Sequence, residues 1–198
     1  AVPKVASADH IAFIAEILDE VEVDKGLPVG HTKLIAFIEG VGGLADMDAI
    51  ARATPRLIGL FLGAEDFSAE VGMQPSAEAL LGPNQQLVFA ARRAGVLPLG
   101  FVGSIADYSD LDAFRARIRQ ARALGFSGAF GIHPSQIAIM NEEFVPSIAE
   151  VTHAQGLLEA YEQGLAEGRG AVAYQGKMID APVVARAREV LRKAAARS

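Results

Sequence analysis

Two acids stand where apolar runs stop. Leu34-Ile35-Ala36-Phe37-Ile38 ends in Glu39, and Leu60-Phe61-Leu62 ends in Gly63-Ala64-Glu65-Asp66. Apolar runs of this length read as buried strands, and strands separated by helical stretches pair in parallel. Acids that finish neighbouring parallel strands then share the carboxyl-end rim, where ligands bind in α/β folds. Glu39 and Asp66 together offer hard oxygen donors suited to a divalent cation such as Mg²⁺. Each acid, including Glu65, could equally serve as a solvated or helix-capping side chain after a strand.

The elements that must position these acids follow from the same pattern. Apolar runs at Ala1–Val5, Lys33–Ile38, Leu57–Leu62, Val96–Phe101 and Ala129–Ile132 alternate with amphipathic stretches. Ser7 is placed to cap a helix with Ile11, Ile14, Leu18 and Val21 on one face. Leu44–Ala53 reads as a short helix. Ser76 opens a helix running to Ala94 through Gly82-Pro83, with Gly95 as its stop. Asp107 or Asp110 opens another, with Leu111, Phe114, Ile118 and Ala121 inward and Gly125 ending it. The expectation is a parallel sheet covered on both faces. After Pro146 the repeat stops. Ser147-x-x-Glu150 is a capping box, Gly168-Arg169-Gly170 breaks the helix it opens, and Ala171–Tyr174, a Gln175-Gly176 turn and a helix over Pro182–Ala196 follow. The domains are therefore 1–146, a strand–helix repeat, and 147–198, a helix–short hairpin–helix extension. Five strand–helix units fall short of the eight in a closed barrel. The chain is either an open five-stranded sheet or a barrel lacking its beginning. The start inside an apparent strand favours the barrel.

Composition narrows the classes. With 198 residues, 51% apolar and 21% charged, the chain can bury a substantial core. A net charge of −6 argues against nucleic acid as partner. The Arg115, Arg117, Arg119, Arg122 series and the Arg186, Arg188, Arg192, Lys193, Arg197 series read as solvated helix faces. There is no cysteine, so thiolate chemistry and disulfides are excluded. Without a signal pattern or an apolar run long enough to cross a bilayer, the expectation is a cytoplasmic protein with no membrane partner.

Five motifs occur in one order: Val2-Pro3-Lys4-Val5, Ile38-Glu39-Gly40, Gly63-Ala64-Glu65-Asp66, Gly131-Ile132-His133-Pro134-Ser135-Gln136 and Gly176-Lys177-Met178-Ile179-Asp180-Ala181-Pro182. Asn141-x-x-Phe144-x-Pro146-Ser147 lies between the last two. This order resembles the citrate lyase β-subunit-like (CitE-like) branch of the HpcH/HpaI aldolase superfamily, over nearly the whole chain. The resemblance implies a TIM (β/α)8-type barrel, N-terminally incomplete here, with the family's first three strands absent. It implies Mg²⁺ held by Glu39 and Asp66, and carbon–carbon bond cleavage or formation in an acyl-CoA or acyl-carrier thioester. It also implies a homo-oligomer, a trimer or a multiple of one. In related lyases and synthases the aspartate matching Asp180 is the catalytic acid/base and reaches a neighbouring subunit's barrel. Asp180 before Ala181-Pro182 is also a good helix cap by itself.

Gly42, Gly43 and Gly72 would allow a ligand close to the backbone or serve as plain loop residues. His133 reads as a turn histidine, and His10, His31 and His153 lack metal-ligand spacing. Lys4 could meet a substrate carboxylate or thioester phosphates. Gly100 stands in the strand region, Leu97-Pro98-Leu99-Gly100, where many members of the branch carry an aspartate, and Gly128-Ala129 where many carry Gly-Lys before the Ile-His-Pro motif. Three rivals to an acyl-CoA lyase remain: an aldolase on free oxoacids, a non-catalytic assembly or carrier-binding subunit, and an open-sheet ligand-binding module.

Overall fold

The computed structural model describes residues 1–104, 109–168 and 172–195. Asp107, Arg169, Gly170, Ala171, Ala196 and Arg197, named above, lie outside the described residues. In chain order the elements are α1 (Ala8–Asp24), β1 (Leu34–Ile38), α2 (Val41–Ala45), α3 (Met47–Ile50), β2 (Leu57–Leu62), α4 (Ala64–Val71) and α5 (Ala77–Ala94). They continue with β3 (Leu97–Leu99), α6 (Leu111–Leu124), α7 (Pro134–Glu143), α8 (Ile148–Ala166), β4 (Val172–Tyr174), β5 (Lys177–Ile179) and α9 (Ala181–Ala195). They form two compact units, Ala1–Phe144 and Val145–Ser198.

The first unit is α/β. Its sheet is parallel in the order β1-β2-β3, with Ile38 opposite Leu62 and Phe61 opposite Leu99. Val2 bridges Ala36 on the outside of β1, and Gly128 bridges Leu99 on the outside of β3, both in parallel. The first four expected segments thus lie side by side in chain order, with Gly128, the residue before the fifth, on the far side of β3; the outer two contacts are single bridges. Ala129–Ile132 is not a strand, which corrects the expectation of five full strands. An outer segment has a ladder partner on one side only. Pro3 and Pro98, which lack an N–H, thin those ladders further.

Leu34, Ala36 and Ile38 point into a core shared with Ile11, Ile50, Leu60, Leu80 and Leu87. The opposite face is not fully covered within the described residues. It carries Phe37, Phe61 and Phe130, half-buried, with ring centroids 4.6–5.1 Å apart. Such tilted and edge-on pairs are the preferred aromatic packing.

Caps fall where the side-chain chemistry puts them. Ser7, Ser76, Asp110 and Ser147 each accept an N–H of the first turn they open, and Gly95 and Gly125 end α5 and α6 in the left-handed region. Pro83 sits inside α5 without ending it. Three details depart from the expectation. The buried face of α1 runs Ile11, Ala15, Glu22, while Val21 is 46% exposed. Leu44–Ala53 is split at Asp46 into α2 and α3. Leu111 lies on the solvent side of α6.

Glu22 displaces Val21 because it has partners inside. Its carboxylate accepts N–H bonds from Gly30 (2.7 Å) and Thr32 (2.6 Å) and pairs with the buried guanidinium of Arg56, which also holds Asp19. A buried acid is tolerated only when paired and hydrogen-bonded in this way. The network ties α1 and the Gly30–Thr32 loop to the amino end of β2, away from the acid rim. On the basic face of α6, Arg115 and Arg119 bond Glu142 and Glu143 of α7. This series fastens two helices rather than standing as a solvated face.

The second unit packs α8, the antiparallel β4-β5 hairpin and α9 around Ala154, Leu157, Val172, Ile179, Val184 and Ala187. Gln175 (φ 49°) and Gly176 (φ 76°) make the two-residue turn, a left-handed pair of the kind that matches strand twist.

Candidate active site

Glu39 is the residue after β1, and Asp66 lies in the first turn of α4, which starts directly after β2. Neither is a helix N-cap: Gly40 and Gly63 take those positions. Both acids sit at the carboxyl ends of adjacent parallel strands. Asp66 also gains from the positive end of α4.

Lys4 connects them. Its backbone N–H donates to Glu39 Oε2 at 2.8 Å, and its Nζ lies 3.2 Å from Asp66 Oδ1. A cavity of about 440 Å³ is lined by Lys4, Glu39, Asp66 and Glu70. Glu70 accepts the Val41 N–H at 2.9 Å, so it holds the start of α2. On the other side of Asp66, a cavity of about 220 Å³ is walled by Phe37, Phe61, Phe101 and Phe130. The site thus sets a polar, acid-lined space beside an aromatic one. Glu65 turns away from Glu39 and accepts the Ser104 hydroxyl.

The side chain of Glu39 runs over Gly63. A β-carbon on residue 63 would stand 2.4 Å from Glu39 Cγ, well inside contact distance. Glycine after β2 is what lets Glu39 reach across. Gly42 and Gly43 line the cavity beside Glu39 and Asp66; Gly43 also packs on the Val5 carbonyl, and Gly72 is the left-handed cap of α4. His133 caps α7 in a box with Gln136, a structural role. Gly100 has φ +135° with Phe61 and Phe126 beside it, a conformation that a residue with a β-carbon would not readily adopt.

Do the residues fit Mg²⁺? The donors are carboxylate oxygens, they share one rim, and open space adjoins them for further oxygen ligands. That set suits a hard cation needing about six oxygens, several from water or substrate. Among the described residues no group of three or more His, Cys, Asp or Glu could hold a metal. The rim supplies two acids and leaves the remaining positions to other ligands.

Asp180 lies in the second unit, exposed, and its Oδ1 accepts the Val183 N–H at 3.0 Å. It caps α9. Sequence reasoning named Gly63 within a motif but gave it no role, and did not mark Glu70. Gly63 carried a signal, a glycine between a strand and an acid pair, whereas nothing local marked Glu70.

The sequence profile described as HpcH/HpaI aldolase/citrate lyase matches residues 1–134. The chain belongs to this family. An L-malyl-CoA/beta-methylmalyl-CoA lyase of Cereibacter sphaeroides is 34% identical over 218 residues, covering 98% of this chain and 66% of the lyase. A citrate lyase subunit beta of Leuconostoc mesenteroides subsp. cremoris is 32% identical over 194 residues, covering 97% and 64%. This HpcH/HpaI member therefore spans just under two thirds of the length of those relatives. Among solved structures, CitE from Mycobacterium tuberculosis in complex with magnesium, acetoacetate and coenzyme A superposes with a TM-score of 0.75. It is 28% identical, over 97% of this chain and 66% of that one. The HpcH/HpaI chain thus shares the α/β fold of citrate lyase-type structures. No helix among its described residues is long and apolar enough to cross a membrane.

Proposed function

We propose that this protein is a Mg²⁺-dependent carbon–carbon lyase acting on a β-hydroxyacyl thioester of coenzyme A, releasing an oxoacid and a shorter thioester. The observation that carries it is the pair Glu39 and Asp66, both at the carboxyl ends of adjacent parallel strands and both in contact with Lys4. The lyase names of the relatives and the magnesium and coenzyme A bound by CitE support the same reading. The parallel run from Val2 through β3 to Gly128 reads as an arc of a TIM (β/α)8-type barrel, whose sites lie at that rim.

In the cleavage direction the β-hydroxyl loses its proton, the Cα–Cβ bond breaks, and its electron pair passes to the thioester as an enolate. The α-carbon then takes a proton. Bound Mg²⁺ would supply positive charge for the oxoacid's carboxylate and adjacent oxygen. Glu39 and Asp66 would hold it, Gly63 keeping Glu39 in reach. Asp180 would exchange the α-carbon proton, a carboxylate's usual part in such chemistry. The apolar surface of the second unit, with Ile148, Leu165 and Met178 87%, 57% and 70% exposed, suits a homo-oligomer, a trimer or a multiple of one.

The test is cleavage of malyl-, methylmalyl- and citryl-CoA by the full-length protein, following oxoacid release. Turnover should vanish with EDTA, return with Mg²⁺, and be lost in Asp66→Asn with the circular dichroism unchanged. Turnover indifferent to EDTA would overturn the reading. Equal cleavage of the free hydroxy acids would favour an aldolase on free oxoacids instead.

A further inference from the structure

Lys4 touches the two acids with two different groups, its backbone N–H on Glu39 and its ammonium on Asp66. Its backbone is unusual for doing so. Lys4 has φ +51°, a region that non-glycine residues enter at a cost and in which they cluster at functional sites. The flanking ladder explains how it is held there. Val2 N–H donates to Ile35 O and Phe37 N–H to Val2 O, and Val5 N–H donates to Phe37 O. Between those bonds the Lys4 N–H is turned out of the ladder and onto a carboxylate. A residue with an ordinary φ would not aim that N–H in the same direction. The turn also sends the side chain along the rim to Asp66.

The charge balance gives this geometry a purpose. Two carboxylates brought to one rim repel each other unless a cation stands between them. Lys4 supplies one from the chain itself. Yet the Lys4–Asp66 pair is open to water, with side chains 73% and 54% exposed, and exposed ion pairs are weak. A cation held this loosely gives way to one bound more strongly.

We infer that Lys4 is the internal counter-cation of the site. Its ammonium neutralises Asp66 while no metal ion is bound. A divalent cation enters by displacing it, and the Lys4 N–H stays on Glu39 throughout. The displaced ammonium remains beside the same cavity of about 440 Å³. The inference rests on Glu39 and Asp66 being the metal ligands.

The experiment is a calorimetric titration of the metal-stripped, full-length protein with Mn²⁺ as the probe. It compares wild type with Lys4→Met, Lys4→Gly and Lys4→Arg. Lys4→Met removes the competing charge and keeps the N–H, so it should bind Mn²⁺ roughly two- to fivefold tighter, the scale of an exposed ion pair. Lys4→Gly loses the same charge and fits the left-handed backbone. It should show the same tightening even if Lys4→Met folds poorly. Lys4→Arg restores the charge and should return the Kd to within about twofold of wild type. If Lys4→Met and Lys4→Gly bind no tighter than a wild type that does bind Mn²⁺, the role of Lys4 is overturned and the metal site stands. A wild type that takes up no Mn²⁺ overturns both.

Discussion

Glu39 and Gly63 are close enough that residue 63 has no room for a side chain: a β-carbon there would lie 2.4 Å from Glu39 Cγ and 2.8 Å from Oε1. The glycine after β2 sets the position of the acid after β1. Gly63→Ala should therefore push Glu39 off the rim without unfolding the sheet, since the backbone of Gly63 (φ −78°, ψ 91°) is open to alanine. Metal affinity should fall by about 10- to 100-fold, the usual cost of disturbing a residue that orients a ligand. Mn²⁺ titration beside thermal melting checks this, and an unchanged Kd would count against Glu39 as a ligand.

Asp180→Asn should leave α9 intact, because asparagine caps as well as aspartate does. If Asp180 exchanges the α-carbon proton, the variant should lose about 10²–10⁴ in kcat. Asp180→Ala should in addition cost about 1 kcal/mol through the lost cap. Wild-type kcat in the asparagine variant would leave Asp180 with the cap alone.

The Glu22 carboxyl is held well below the usual carboxylate range, chiefly by hydrogen bonds from Arg56 and further by the N–H groups of Thr32 and Gly30. The unfolded chain therefore takes up the Glu22 proton first as pH falls. The stability this group contributes is full above the ordinary glutamate pKa and is lost below it, down through the depressed folded value. Glu22→Gln should lower Tm at pH 7 by roughly 5–10 °C and flatten the fall of Tm between about pH 5 and pH 3. Melts across that range test both, and metal binding should be unaffected because the network lies at the amino end of β2.

Gly100→Asp would put a carboxylate side chain beside Phe61 and Phe126. With φ +135° at this position, the variant should be destabilised by about 1–3 kcal/mol. Chemical denaturation measures it, and an unchanged midpoint would mean the backbone there adjusts.

Much of this protein is local, and the sequence alone determined it. The acids closing Leu34–Ile38 and Leu57–Leu62, the caps at Ser7, Ser76 and Ser147, and the Gln175-Gly176 turn are set by side chains within a few residues of the backbone they satisfy. The family resemblance rests on the same short segments. Tertiary structure decided what depends on distant partners. Glu22 rather than Val21 turned inward because Arg56, 34 residues on, offered its guanidinium. Ala129–Ile132 did not become a strand, although apolar, because a strand is completed by neighbours and not by its own composition. Lys4 left the ordinary backbone region to place its N–H on Glu39, a bond across 35 residues. Local periodicity reports which side chains prefer burial. Which buried polar group finds a partner, and which end of a sheet gathers charge, depends on contacts that exist only once the chain has folded.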